Sequence, residues 1–184
     1  MGTREDLITV ATALLDAGGV PAVTLREVGS RAGVSHNAPY RHFADKEALL
    51  AAIAAAELAS LATTMRKHSD TATTPRAALR AMLADYATWA LTHPARFTLV
   101  FGAWTTESPE LARQATETWS LMVSVVSQAQ AARELPSGDP ERLAALVRST
   151  AHGAISLALT GHLAAEGKGH ADATTLVEDL LDYL

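Results

Sequence analysis

The sequence contains no cysteine. That absence excludes disulfides, thiolate metal sites and thiol nucleophiles together, and leaves the redox compartment undecided. Aromatic residues are scarce, at 5% of 184 residues, and charged residues are few, at 19%, whereas hydrophobic residues reach 48%. Low charge with high apolar content excludes a disordered chain and supplies a real core. Strand signals are missing too, since no long alternating run rich in Val, Ile, Thr and aromatics occurs. The opening Met1-Gly2-Thr3-Arg4-Glu5-Asp6 has no signal-peptide pattern, and Asp6 stands where a myristoylation motif requires Ser or Thr. The most apolar stretch, Leu49 to Ala62, is interrupted by Glu57 and Ser60 and is expected to be too short to cross a bilayer. A soluble cytoplasmic protein is expected. Scattered Ser, His and Asp form no nucleophile and base at a catalytic spacing, and His162 with Glu166 gives only two metal ligands. No catalytic residue, metal or cofactor is therefore assigned, and no enzyme is expected.

Positive charge is also in deficit, with a net charge of −5. That is the wrong sign for a protein coated in nucleic acid, because nonspecific affinity comes from neutralising phosphates. Locally the balance reverses. Between Thr24 and Lys46, Arg26, Arg31, Arg41 and Lys46 outnumber Glu27 and Asp45, with His36 and His42 among them.

What is present is helix punctuation, and the fold class it predicts is all-α, with about nine helices. A first helix from Arg4 to Ala17 carries Leu7, Val10, Ala11, Leu14 and Leu15 on one face, and Gly18-Gly19 ends it before Pro21. Thr24-Leu-Arg-Glu27 is a capping box, in which Glu27 is expected to reach back to the Thr24 amide. The helix it starts is short, because Gly33 breaks it, and Ser35 caps a second short helix that Phe43 closes. Pro39 is expected to be tolerated in that helix's first turn. Asp45 then caps a long helix from Lys46 to about His68, whose apolar face includes Leu50, Leu58, Leu61 and Met65.

Three later starts place Pro at the first helical position: Thr74-Pro75, Ser108-Pro109 and Asp139-Pro140. His93-Pro94 sets off a brief aromatic helix, Phe97 to Trp104, and the last two helices are expected over Glu141 to about Leu163 and Ala173 to Leu184. Residues 1–45 form one predicted domain and 46–184 the other.

Two short helices joined at Gly33 satisfy the geometry of a helix-turn-helix. Val28 and Val34 supply buried contacts, Gly29 is small where the helices cross, and Gly33 permits the turn. On the second helix Pro39 and Phe43 point inward, whereas Asn37 and Arg41 point outward, flanked by Ala38 and Tyr40, with His36 at the tip. Such side chains contact base edges and phosphates, and a short helix of this kind fits the major groove. The segment Thr24 to Leu50 resembles the DNA-binding region of the tetracycline-repressor (TetR) family. The resemblance rests on Gly33-Val34-Ser35, Tyr40, His42-Phe43, Lys46 and Leu49, with Pro39 in place of the usual Leu and Gly29 in place of the usual Ala.

The C-terminal part resembles the WHG-type subgroup through Pro94-Ala-Arg-Phe97, Phe101-Gly102, Ala151-His152-Gly153 and Gly161-His162, with Ala151 where Trp is usual. These resemblances imply a dimeric repressor, a pseudo-palindromic double-stranded DNA operator and a small-molecule pocket. They make Thr24, Arg26, Ser35, His36, Asn37, Ala38, Tyr40, Arg41, His42 and Lys46 the expected DNA-binding residues, Tyr40, His42 and Lys46 as phosphate contacts.

The candidate ligand residues are Met65, Met82, Tyr86, Trp89, Phe97, Phe101, Trp104, Trp119, Met122 and His152, a set of aromatics and Met with few polar groups that fits a largely apolar effector of unassigned identity. The same spacing describes core, and His152 reads first as a satisfied core residue and second as a ligand contact. The last two helices are the expected homodimer interface, because Ala154, Ala158 and Gly161 allow close approach and the terminal helix is rich in Leu and Val. The long helix from Lys46 is the expected lever between effector and DNA. A helical enzyme or carrier for a hydrophobic small molecule is the alternative.

Overall fold

The computed structural model describes residues 4–167 and 169–184. Among them it has eight α-helices and one 3-10 turn: α1 (Arg4–Ala22), α2 (Leu25–Arg31), the 3-10 turn (Pro39–Arg41), α3 (Lys46–Thr71), α4 (Pro75–Thr92), α5 (Pro94–Val100), α6 (Pro109–Ala131), α7 (Pro140–Leu159) and α8 (Ala173–Asp182). The only extended pairing among the described residues is an isolated bridge between Ala164 and Gly169. The all-α class follows from the sequence as expected.

Local chemistry places the helix starts. Thr24 Oγ1 accepts from the Glu27 amide at 3.1 Å, Asp45 Oδ1 from the Ala48 amide at 2.8 Å, and Asp139 Oδ1 from the Glu141 amide at 2.9 Å. Pro75, Pro94, Pro109 and Pro140 each open a helix, where their missing N–H costs nothing. Inside α1 the helical path breaks at Gly18 and at Gly19, whose φ is 67°, and one more turn follows.

Four expectations need correction. The Glu27 carboxylate does not turn back to Thr24; it accepts from Arg31 Nε at 2.8 Å one turn on. Phe97 to Trp104 is not one helix: α5 spans Pro94–Val100 and is capped by Phe101. The α7 helix stops at Leu159, because Gly161, at φ 74°, reverses the chain in a Schellman motif with His162 N–H on the Leu157 carbonyl at 2.8 Å. The stretch around Leu49 belongs to a 26-residue helix that by length and composition alone could cross a membrane. Leu49, Leu50, Ile53 and Ala54 of that helix are buried inside the protein, as in a core helix.

The chain divides into two compact units, Met1–Ser60 with His93–Ala115, and Leu61–Thr92 with Thr116–Leu184. In the first, Leu7, Leu14 and Leu15 of α1, Val28 of α2, Leu49 and Ile53 of α3 and Phe97 of α5 are buried. Arg96 of α5 grips both carboxylate oxygens of Asp16 on α1, at 2.9 and 2.5 Å, and also reaches Glu57 of α3 at 3.1 Å. That hydrogen bonding holds the Asp16 carboxyl below its ordinary range. In the second unit, Leu79, Met82 and Leu83 of α4, Val126 of α6, Val147 of α7 and Leu181 of α8 form one apolar cluster. Arg80 of α4 bonds the Glu178 carbonyl at 3.2 Å and the Asp182 carboxylate, which fixes α8 against α4.

Candidate nucleic-acid interface and ligand site

The interface is built on α2 and the segment after it. The α2 helix ends in a Schellman motif: the Val34 amide bonds the Gly29 carbonyl at 3.0 Å, the Gly33 amide bonds Ser30 at 3.2 Å, and Gly33 sits at φ 66°. The chain then turns, but the second short helix expected from Ser35 to Phe43 does not form as an α-helix. Only the 3-10 turn Pro39–Arg41 is wound, preceded by a turn in which the Ala38 amide bonds the Ser35 carbonyl at 2.9 Å. The cause is Pro39. In an α-helix capped by Ser35, that carbonyl would accept from residue 39, which has no N–H, and the proline ring would clash with it.

The facing is as expected despite the tighter winding. Pro39 and Phe43 are buried, whereas Ser35, His36, Asn37, Tyr40, Arg41 and His42 are exposed and Ala38 is half-buried. Tyr40 is 50% exposed, with the His36 ring edge-on to it at 5.8 Å. Thr24 and Arg26 are exposed at the start of α2. Arg31 is neutralised by Glu27, but Arg26 and Arg41 make no ion pair among the described residues. Lys46 is half-buried, and its Nζ donates to the Val20 carbonyl at 2.7 Å, so it also ties α3 to the end of α1.

The ten candidate ligand residues fall in both units. Phe97, Phe101 and Trp104 lie in the unit that carries the interface, where the Phe97 and Phe101 rings meet at 5.4 Å. Trp104 borders a surface depression of about 450 Å³ with Thr106, Pro109 and Leu111, and its indole N–H is buried without a hydrogen-bond partner. Met65, Met82, Tyr86, Trp89, Trp119, Met122 and His152 lie in the other unit. Met82 and Met122 are buried there, with Met65, Tyr86 and Trp119 packed against the cluster. Tyr86 stacks on Trp89 at 6.2 Å and bonds His152 Nδ1 at 2.9 Å. Burial raises the phenol pKa and lowers that of the imidazole.

The description "Bacterial regulatory proteins, tetR family" matches residues 7–53, and "Tetracyclin repressor-like, C-terminal domain" matches residues 79–184. The chain belongs to the tetracycline-repressor family. It is 31% identical over 185 residues to the HTH-type transcriptional regulator BetI of Burkholderia mallei (strain NCTC 10229), covering 98% of this chain and 92% of that one. A protein of unknown function from Rhodococcus sp. RHA1 has the same fold with a TM-score of 0.85 at 30% identity, covering 100% of this chain and 94% of the other. A TetR/AcrR-family regulator from Thermobifida fusca YX-ER1 superposes with a TM-score of 0.69 at 23% identity, over 97% of this chain and 94% of the other. This TetR-family chain is thus a DNA-binding transcriptional regulator, and its relatives are regulators and not enzymes.

One side chain near the ligand residues of this TetR-family protein escapes the sequence reading. Arg148 lies over the Trp119 ring at 4.3 Å and is close enough to Tyr86 and His152 to act on both electrostatically. The signal was available, since Arg148 precedes His152 by one helical turn.

Proposed function

We propose that the protein is a cytoplasmic repressor that binds a pseudo-palindromic operator as a homodimer and leaves it when a small, largely apolar effector is bound. The observation that carries the DNA half is the exposed set Asn37, Tyr40 and Arg41 beside the buried Pro39 and Phe43, on a segment held to α2. In this reading Thr24, Arg26, Ser35, His36, Asn37, Ala38, Tyr40, Arg41, His42 and Lys46 contact the DNA, Tyr40, His42 and Lys46 through phosphates, and residues 1–45 are the DNA-binding domain.

The effector half rests on the aromatic and Met side chains, Tyr86 and His152 supplying a polar tip among Trp89, Trp119, Met82 and Met122. The sequence Ala151-His152-Gly153 supports placing the C-terminal domain, 46–184, in the WHG-type subgroup. For dimerisation the support has shifted. Ala154 is buried within the chain itself and Gly161 lies beyond α7, so the accessible face of α7 is instead Leu146, Gly153 and Leu157. The α3 helix is continuous from Lys46 to Thr71, the property a lever requires.

The test is retardation of the DNA upstream of its own gene by the purified protein, together with a thermal-stabilisation screen of small molecules. An effector found this way must bind operator-loaded protein more weakly, by the same factor by which it weakens operator binding. Failure to retard any upstream DNA overturns the repressor reading, and equal effector affinity with and without operator overturns release by that compound.

A further inference from the structure

Two residues of the interface touch no DNA-facing surface yet meet each other. Gly29 lies within α2, buried, with helical backbone that any residue could adopt. Glycine there weakens the helix, so its presence needs another cause. A Cβ at this position would sit 3.1 Å from Pro39 Cγ, closer than real Cβ atoms ordinarily approach a neighbour, and 3.4 Å from Pro39 Cδ. The Ser35 carbonyl is 3.7 Å away, and the Gly29 carbonyl itself receives the Val34 amide. The proline ring is thus seated on bare backbone.

Pro39 in turn decides how the segment winds. Without its N–H, the Ser35 carbonyl is taken by Ala38 at 2.9 Å, and the next bonds are of the tight kind, Arg41 to Ala38 at 3.2 Å and His42 to Pro39 at 3.0 Å, before the Pro39 carbonyl also receives Phe43 at 3.0 Å in the α-helical manner. A 3-10 turn advances each side chain about 20° further around the axis than an α-helix, and brings i and i+3 into line. Within Pro39–Arg41 that swings Tyr40 and Arg41 away from the directions they would have in an α-helix, with His36 edge-on to Tyr40 at 5.8 Å.

We propose that Gly29 and Pro39 are a matched pair that fixes the winding and seat of the recognition segment, and so selects which half-site bases Asn37 and Arg41 reach. They are positioning residues for operator choice. This rests on the operator-binding reading above.

The experiment uses the full chain as Gly29→Ala, Pro39→Ala, the double variant and Pro39→Leu, each melted and each used to select half-sites from a randomised operator library. Gly29→Ala alone is expected to lower Tm by about 2–4 °C. In the Pro39→Ala background, where the ring is gone and the amide restored, it is expected to cost nothing or to raise Tm. Pro39→Ala and Pro39→Leu are expected to retain nonspecific affinity while the preferred bases change, the parent half-site losing about tenfold. Equal Tm effects of Gly29→Ala in both backgrounds would overturn the pairing. Selection of the parent half-site with parental affinity by both Pro39 variants would overturn the control of operator choice. A parent that selects no sequence refutes operator binding, and operator choice with it, whereas the melts still decide the pairing.

Discussion

At the scale of single residues, the interface depends on cations that the fold leaves without carboxylate partners. Arg41 is exposed and unpaired among the described residues, so its removal subtracts phosphate neutralisation or base contact without disturbing the core. Arg41→Ala is expected to weaken every site and to reduce the salt slope of log affinity by about 1 if the contact is to phosphate. Binding titrations across salt concentration measure this, and an unchanged slope and affinity would remove Arg41 from the DNA face. Lys46→Ala should differ by also lowering Tm, because Nζ leaves the Val20 carbonyl.

His152 gives a second prediction at this scale. Burial first, and Arg148 next, lower its pKa from the ordinary 6.5. The unfolded chain therefore takes up a proton near 6.5 that the folded chain resists, so the stability linked to this group is complete above 6.5 and is lost as pH falls through the folded value. The measured Tm should decline below that pH, and His152→Gln should flatten the decline. Parallel profiles for parent and variant would assign the pH dependence elsewhere.

At the scale of elements, caps and breaks explain what was legible. A helix start is set by side chains within four residues of the first free amide, so Thr24, Asp45, Asp139 and the prolines Pro75, Pro109 and Pro140 could be read directly, whereas the helix expected from Phe97 opens at Pro94. The second short helix was misread for an equally local reason. Counted from Ser35, Pro39 removes the first α-helical bond, the nucleating one, and a nine-residue segment has few later bonds to compensate. Gly33 is the clearest break, at φ 66°. Gly33→Ala is expected to cost about 1 kcal/mol and to lower Tm by about 2–4 °C, whereas Gly153→Ala, helical and in open space, should not destabilise the monomer. Equal melting shifts for the two would show that backbone conformation is not what Gly33 supplies.

At the scale of the whole molecule, the division into units cuts across the aromatic residues that appear together in the sequence. Phe97, Phe101 and Trp104 follow Trp89 by fewer than twenty residues, yet they fold with the helix-turn-helix while Trp89 folds with α7 and α8. Their apolar spacing could not reveal this, because a helical stripe states that a face is buried and not what buries it. The apolar residues left exposed on the second unit carry the dimer prediction. Leu146 and Leu157 of α7 are 53% and 49% exposed, and Tyr183, just after α8, is 89% exposed. Leu157→Glu is expected to yield a folded monomer with operator affinity reduced more than tenfold, since a lone recognition segment reads only one half-site. Sedimentation of the parent as a stable monomer at micromolar concentration would overturn the assembly.

The all-helical class, the capped and most proline-marked helix starts, the break at Gly33 and the inward turn of Pro39 and Phe43 were legible along the chain, because each follows from bonds or periodicity spanning a few residues. Tertiary structure alone decided which distant groups became partners. Arg96 met Asp16 eighty positions away, and Tyr86 met His152 sixty-six positions away. Local chemistry fixes where a helix begins and which face it turns inward. Only the folded chain fixes what that face meets, since the ordering entropy of a long-range pair is met by the packing of whole elements and not by the two residues themselves.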